Sequence, residues 1–316
     1  MFQVDLKKVG CGQKIHMRDI SVLSKAIDIE LSSDTGCTVF GDALICSSID
    51  RIGRMLNDID QFCEVAILHA VSDLIVSKVD PQCASVCIEY GPEFDTVEKM
   101  AALSKSLSDA FRKLGIELQN LHSVRSDYTH LTVSVFGAKK HSQIATPKSG
   151  SVLISRRLGA AKMAVLREID NDDSAPFASE IVSKRFLGGM ETDFFATDIT
   201  GFGLAGAAIN LANRVGASVQ ISLCDLNIVH EDVLGIPVGC FEADGIPTDA
   251  FTATCRRSKA VALCIEFAGP ALVFVASTNV DDFVDEFREL HGWDPIHIGE
   301  FRQEEPYAGV SISWRD

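Results

Sequence analysis

The chain has 316 residues, 34.2 kDa and 44 Asp+Glu against 29 Lys+Arg, a formal charge of -15. With 47% hydrophobic and 23% charged residues it reads as a folded globular protein, not a fibre or a disordered tail, and its length suits two domains better than one. The acid excess argues against nucleic-acid binding, which needs a basic face, but leaves room for a small phosphorylated ligand held locally.

No apolar run reaches the roughly 18–20 residues of a membrane helix. The opening MFQVDLKKVGCGQKIHMRD lacks the apolar stretch of a secretion signal, so a cytoplasmic location is expected. None of the ten cysteines forms a Cys-x-x-Cys pair, which argues against a zinc ribbon or redox dithiol. Most are expected to act as small buried apolar residues, since a disulfide framework suits a short secreted domain better.

In chain order, residues 37–47 predict a hairpin of two short strands around Gly41-Asp42, a turn signal. Residues 59–77 predict a helix that is apolar on most of its circumference and therefore internal. Residues 83–89 and 130–136 are strand-like. Residues 95–114 predict an amphipathic helix with Met100, Leu103, Leu107 and Phe111 at helical spacing. The polar stretch 138–151 is a candidate linker, dividing the chain into 1–148 and 149–316. Beyond it come a strand at 152–155, helices near 159–168 and 175–185, strand-like 217–222, 261–265 and 271–276, a helix at 279–290, and strands near 295–300 and 309–314. Strands and helices mixed in two runs suggest two α+β domains.

Four carboxylates sit in unusual surroundings. Asp73 lies inside an apolar helix, where a carboxylate is costly unless paired or metal-bound. Asp50 follows the strand-like ALICSSI, Asp34 opens the turn before the hairpin, and Asp198 stands between an apolar stretch and a glycine-rich turn. Each alone has an ordinary reading as a cap, a turn residue or a strand end. Magnesium wants oxygen ligands, usually one or two carboxylates with phosphate and water, and scattered acids of this kind can supply them only if folding gathers them.

The run Gly201-Phe202-Gly203-Leu204-Ala205-Gly206 fits G-x-G-x-x-G, with Asp225 at about the dinucleotide spacing. However, Thr197, Asp198 and Thr200 make a polar approach for a buried first strand. A glycine-rich turn into a helix start fits better. In Gly10-Cys11-Gly12-Gln13-Lys14 a thiol stands beside glycines, with Lys7, Lys8 and Lys14 favouring the thiolate; the alternative is an ordinary terminal segment with an idle cysteine.

Together these segments resemble selenophosphate synthetase, of a superfamily with aminoimidazole ribonucleotide synthetase, thiamine-monophosphate kinase and a hydrogenase-maturation protein. The most specific likeness is Thr197-Asp198-Ile199-Thr200-Gly201-Phe202-Gly203-Leu204, followed by the Cys11 loop, Ser33-Asp34-Thr35-Gly36-Cys37, Asp50, His69-Ala70-Val71-Ser72-Asp73, Leu121-His122-Ser123-Val124, Gly150–Ile154 and Arg157-Leu158-Gly159. The resemblance implies the following. The fold is two-domain and α+β, like aminoimidazole ribonucleotide synthetase, with an N-terminal ATP- and metal-binding part whose sheet forms a homodimer interface and a C-terminal α/β sandwich. The reaction takes ATP, selenide and water to selenophosphate, phosphate and AMP. Asp34, Asp50, Asp73 and Asp198 hold Mg2+, and potassium is a candidate accessory ion. Cys11 and Lys14 are catalytic, and the N-terminal loop closes over the nucleotide as a lid. Lys14, Asp50, Asp73, His122 and Ser123 contact ATP. A selenium-delivery protein is a candidate partner.

Several positions depart from the pattern: Gln13, His69, Asn120-Leu121, Ala207 and, above all, Ile265-Glu266-Phe267-Ala268-Gly269-Pro270-Ala271, which replaces a segment of small hydroxyl and glycine residues. These departures keep two other readings in play: a different ATP-dependent enzyme of the superfamily, and a nucleotide-binding regulatory paralogue without turnover.

Overall fold

The computed structural model describes residues 15, 17–27, 35–140, 145–170, 187–234, 246, 249–303 and 309–315. After helix α1 (Met17–Ile27), the N-terminal sheet is built from β1 (Gly36–Phe40), β2 (Ala43–Gly53), β3 (Pro81–Tyr90), β4 (Glu117–Arg125) and β5 (His130–Lys140), in the order β1-β2-β5-β3-β4. All neighbours are antiparallel except β3 and β4, which are joined through α3 (Val97–Lys113), the kind of long crossover that parallel strands require.

The hairpin forms where the turn signal stands, with Gly41 at φ 60°. Its rungs include Cys37 opposite Cys46, and the two are joined as a disulfide. This pair departs from the expectation that most cysteines act as small buried apolar residues: two thiols placed opposite each other on adjacent strands are already within bonding reach.

Helix α2 (Ile59–Val76) starts at Asp58, whose side chain accepts the Gln61 N–H at 3.0 Å, satisfying one of the free donors of the first turn. It is buried on nearly all sides, because one flank meets β2, β5 and α3 and another meets the strand Phe195–Asp198 of the second sheet. Helix α3 buries Leu103, Leu107 and Phe111. One core runs through both halves, from Phe62, Val65 and Phe111 to Ala161, Val165, Phe283 and Phe287. Each fully buried phenylalanine is worth roughly 1.5–3 kcal/mol.

The second sheet has the order β7-β10-β6-β11-β8-β12-β9. Its strands are β6 (Ser149–Ile154), β7 (Phe195–Asp198), β8 (Ala217–Leu223), β9 (Phe251–Ala253), β10 (Ala271–Ala276), β11 (Ile296–Gln303) and β12 (Val310–Trp314). The helices of this half are α4 (Ala160–Ile169), α5 (Gly203–Val215), α6 (Arg256–Ala262) and α7 (Val280–His291). Strand β7 is an edge strand whose partner, β10, runs antiparallel, so the glycine-rich turn after it is not a dinucleotide loop.

Two expectations change, and a third is not met by described residues. Residues 261–265 are not a strand: α6 covers 256–262, entered at Cys255, whose N–H is accepted by Ser258 Oγ at 3.2 Å. A short apolar run is compatible with either state. The linker shrinks, because β5 extends to 140 and β6 begins at 149. The helix expected at 175–185 lies outside the described residues.

The inner face of the N-terminal sheet is covered by α2, while its outer face carries Phe40 (76% exposed), Ile49 (68%) and Phe136 (37%), aligned by register. On that face Arg51 clamps Glu89 in two contacts, Nε to Oε1 at 2.7 Å and Nη2 to Oε2 at 2.8 Å, tying β2 to β3 over β5. The Arg51 hydrogen bond holds the Glu89 carboxyl below its usual range. A carboxylate with a depressed folded-state pKa stabilises the protein at neutral pH and loses that contribution as pH falls through the depressed value. The melting temperature should therefore fall more steeply between about pH 6 and pH 3 in the unsubstituted protein than in Glu89→Gln; parallel melting curves would show that the clamp contributes nothing.

Candidate functional site

The site lies where α2, β2 and the end of β7 meet. On β2, Ser48 and Asp50 project from the same face toward α2, on alternate residues. On α2, His69 and Asp73 are four residues apart and share a face. Ser48 Oγ donates to Asp73 Oδ2 at 2.5 Å, and His69 Nε2 lies 3.8 Å from Asp50 Oδ1. A two-residue step along a strand, about 6.6 Å, nearly equals a four-residue step along a helix, about 6 Å. The two elements can therefore make both contacts at once, running in opposite directions.

The third acid comes from the other sheet. Asp198 ends β7 opposite Ala271 of β10 and is 8% exposed. Its Oδ2 lies 2.7 Å from Ser72 Oγ, and Thr200 Oγ1 lies 3.5 Å from its Oδ1. The Ser72 hydroxyl is also 2.7 Å from the His69 carbonyl oxygen; its single proton serves one acceptor at a time. After Asp198 the chain turns sharply: Ile199 N–H donates to the Pro270 carbonyl at 2.6 Å, and Gly203 takes φ +59° with Ala262 and Cys264 carbonyls where a Cβ would stand. The glycine-rich turn thus serves close packing and opens α5.

His69 is buried and joins the two halves. Its Nδ1 accepts the Ala268 N–H at 3.1 Å, so a neutral ring carries its proton on Nε2, the nitrogen facing Asp50. Two departures seen in the sequence, His69 and the 265–271 segment, are therefore in contact.

Of the expected site residues, Asp73 lies on α2, and Asp50 and Asp198 each lie against an α2 side chain, His69 and Ser72. Asp34, Cys11 and Lys14 lie outside the described residues. Thr35, next in chain to Asp34, is anchored to α2: its hydroxyl donates to the Asp73 carbonyl at 2.8 Å. His122 and Ser123 lie on β4, paired with Cys87 and Ile88 of β3. Within one chain β5 and β3 separate them from β2, a lateral distance of about 14 Å. Ser48 and Ser72, whose hydroxyls reach Asp73 and Asp198, were not among the expected residues. Ser48 could have been found from its alternation with Asp50, and Ser72 from its place beside Asp73.

Among the described residues no group of three or more His, Cys, Asp or Glu side chains is placed so that it could hold a metal ion. The donors present are carboxylates and hydroxyls, hard oxygen ligands that suit Mg2+ shared with phosphate and water rather than zinc or copper.

Residues 32–138 match the family AIR synthase related protein, N-terminal domain. A selenide, water dikinase of Paraburkholderia xenovorans is 27% identical, with 92% of this chain and 91% of that protein covered. One from Pelobacter propionicus is 22% identical over 88% of this chain and 89% of that protein. Among solved structures, AaThiL complexed with AMPPCP and TMP superposes with a TM-score of 0.67 at 14% identity, covering 99% of this chain and 96% of that one. The HypE–HypF complex gives 0.64 at 18%, covering 93% and 95%. The fold is the two-sheet α+β fold of the AIR synthase-like superfamily.

Ser72→Ala removes a donor from the buried Asp198 carboxylate. It should lower the melting temperature by about 2–5 °C in a thermal melt without added metal; an unchanged melt would mean that Ser72 does not hold Asp198.

Proposed function

We propose that this chain, a divergent relative of the selenide, water dikinases, is an ATP-dependent phosphotransferase that converts ATP, selenide and water to selenophosphate, AMP and phosphate. The observation that supports this reading is that Asp50 and Asp198, from two different sheets, both lie against the helix that carries Asp73. A triphosphate brings about four negative charges to such a place, and divalent cations reconcile them with the carboxylates. Asp34, Asp50, Asp73 and Asp198 are the residues that would hold Mg2+. When bound, it would neutralise phosphate charge during transfer.

The chain's own groups do the rest. Ser48 and Ser72 orient Asp73 and Asp198. His69 sits behind Asp50 and ties its position to the 265–271 loop. Lys14 is assigned to the transferring phosphoryl group and Cys11 to the selenium. The outer face of the N-terminal sheet, with Phe40, Ile49 and Phe136 exposed, is assigned to a homodimer contact.

A second reading, phosphoryl transfer to another acceptor or nucleotide binding without turnover, is favoured by the altered loop alone, where Glu266 is fully buried.

Incubation with ATP and Mg2+, with and without selenide, separates these readings. Selenide-dependent AMP is the expected product, ADP with another acceptor supports the second reading, and ATP binding without turnover supports a regulatory role. Asp73→Asn should abolish turnover, a loss of at least about 100-fold, while the protein stays folded by circular dichroism; retained turnover would remove Asp73 from the metal set. Ile49→Asp should convert a dimer to a monomer in sedimentation; a dimer unaffected by that charge would place the contact elsewhere.

A further inference from the structure

The turn from β6 into α4 ends at Gly159, whose φ of +96° and contact with Val233 leave no place for a side chain. The N–H groups of Gly159 and Ala161 belong to the start of α4, where backbone donors lack an intrahelical acceptor and the helix dipole favours negative charge.

This position is already filled from within the chain. Glu266 is 0% exposed; its Oε1 accepts the Gly159 N–H, and its Oε2 lies 3.3 Å from Ala161 N. Arg156, also buried, has Nη1 3.8 Å from Oε2. Its Nη2 donates to the carbonyls of Phe267 at 3.1 Å and Gly269 at 2.7 Å, so one guanidinium holds both the carboxylate and the loop that delivers it. The loop also reaches the candidate site, through Glu266 N–H to the Thr200 carbonyl at 3.4 Å and Ala268 N–H to His69. A carboxylate buried this deeply persists only where donors and a counter-charge compensate its lost hydration.

We propose that Glu266 is a built-in anion that keeps the start of α4 closed to anionic groups of a substrate, and that it thereby sets acceptor specificity against phosphorylated molecules. Phosphate needs the same donors and the same guanidinium, and a carboxylate in their midst both occupies and repels. A small acceptor without a phosphate handle, such as selenide or water, is unaffected. The specificity role rests on the phosphotransfer reading above; the self-occupied anion position does not.

The test removes the carboxylate and asks whether an added oxyanion replaces it. Melting temperatures of the unsubstituted protein and Glu266→Ala are compared in sodium chloride, formate and inorganic phosphate at matched ionic strength, without nucleotide. In chloride the variant should melt about 5 °C or more below the unsubstituted protein. Formate or phosphate should restore at least half of that loss, while the unsubstituted protein should not distinguish the salts. If Glu266→Ala does not fold, Glu266→Ser, which also vacates the carboxylate position, is measured in the same way. A variant no more responsive to formate or phosphate than the unsubstituted protein overturns the proposal. Turnover is measured separately: phosphate should inhibit the folded variant, Glu266→Ala or Glu266→Ser, more strongly than the unsubstituted protein, and equal inhibition overturns the specificity role. Failure to turn over ATP at all sinks the phosphotransfer reading, while the melting data still decide the anion position.

Discussion

Carboxylates brought into partly buried surroundings lose hydration, and this constraint shapes the structure around Asp50, Asp73 and Asp198. The protein answers with neutral donors. Ser48 and Ser72 place hydroxyls on Asp73 and Asp198, and a histidine nitrogen lies close to Asp50. Neutral donors hold a carboxylate in place without bringing an opposite charge to it. An arginine in any of these places would have stabilised the fold and spoiled the site.

The same economy explains why α2 is apolar almost all round. A helix that carries His69, Ser72 and Asp73 to a point between two sheets must be buried on both flanks. Its remaining surface then has no solvent to face. The polar positions stand where β2, β7 and the 265–271 loop converge, and the rest of the helix is packing that holds those groups still.

Much of this was legible along the chain, for reasons particular to each segment. Gly41-Asp42 between alternating residues marked the hairpin. The spacing of Leu103, Leu107 and Phe111 marked α3, and the oddity of Asp73 in an apolar helix marked the site. Other parts were hidden. The strand β4 is almost wholly exposed, so it lacks the inside–outside alternation that betrays a strand. The run at 261–265 is too short to show a period. Ser48 and Ser72 are ordinary residues until the partner element is in place. The 265–271 segment looked like the loss of a glycine-rich pocket. Only folding shows that Glu266 enters the start of α4 and that Ala268 meets His69, contacts between residues separated by 107 and 199 positions.

The bridge between Cys37 and Cys46 has a bearing on the outermost strand of the N-terminal sheet. Every residue of β1 is exposed, and a border strand of that kind, held by backbone pairing alone, tends to fray or to exchange partners with a stranger. A covalent rung near the start of β1, away from the turn, pins β1 to β2. The apolar plate outside keeps its outline, and Thr35, one residue before β1, stays moored to α2 at the carbonyl of Asp73, so that stiffness at the rim reaches the chemistry inside.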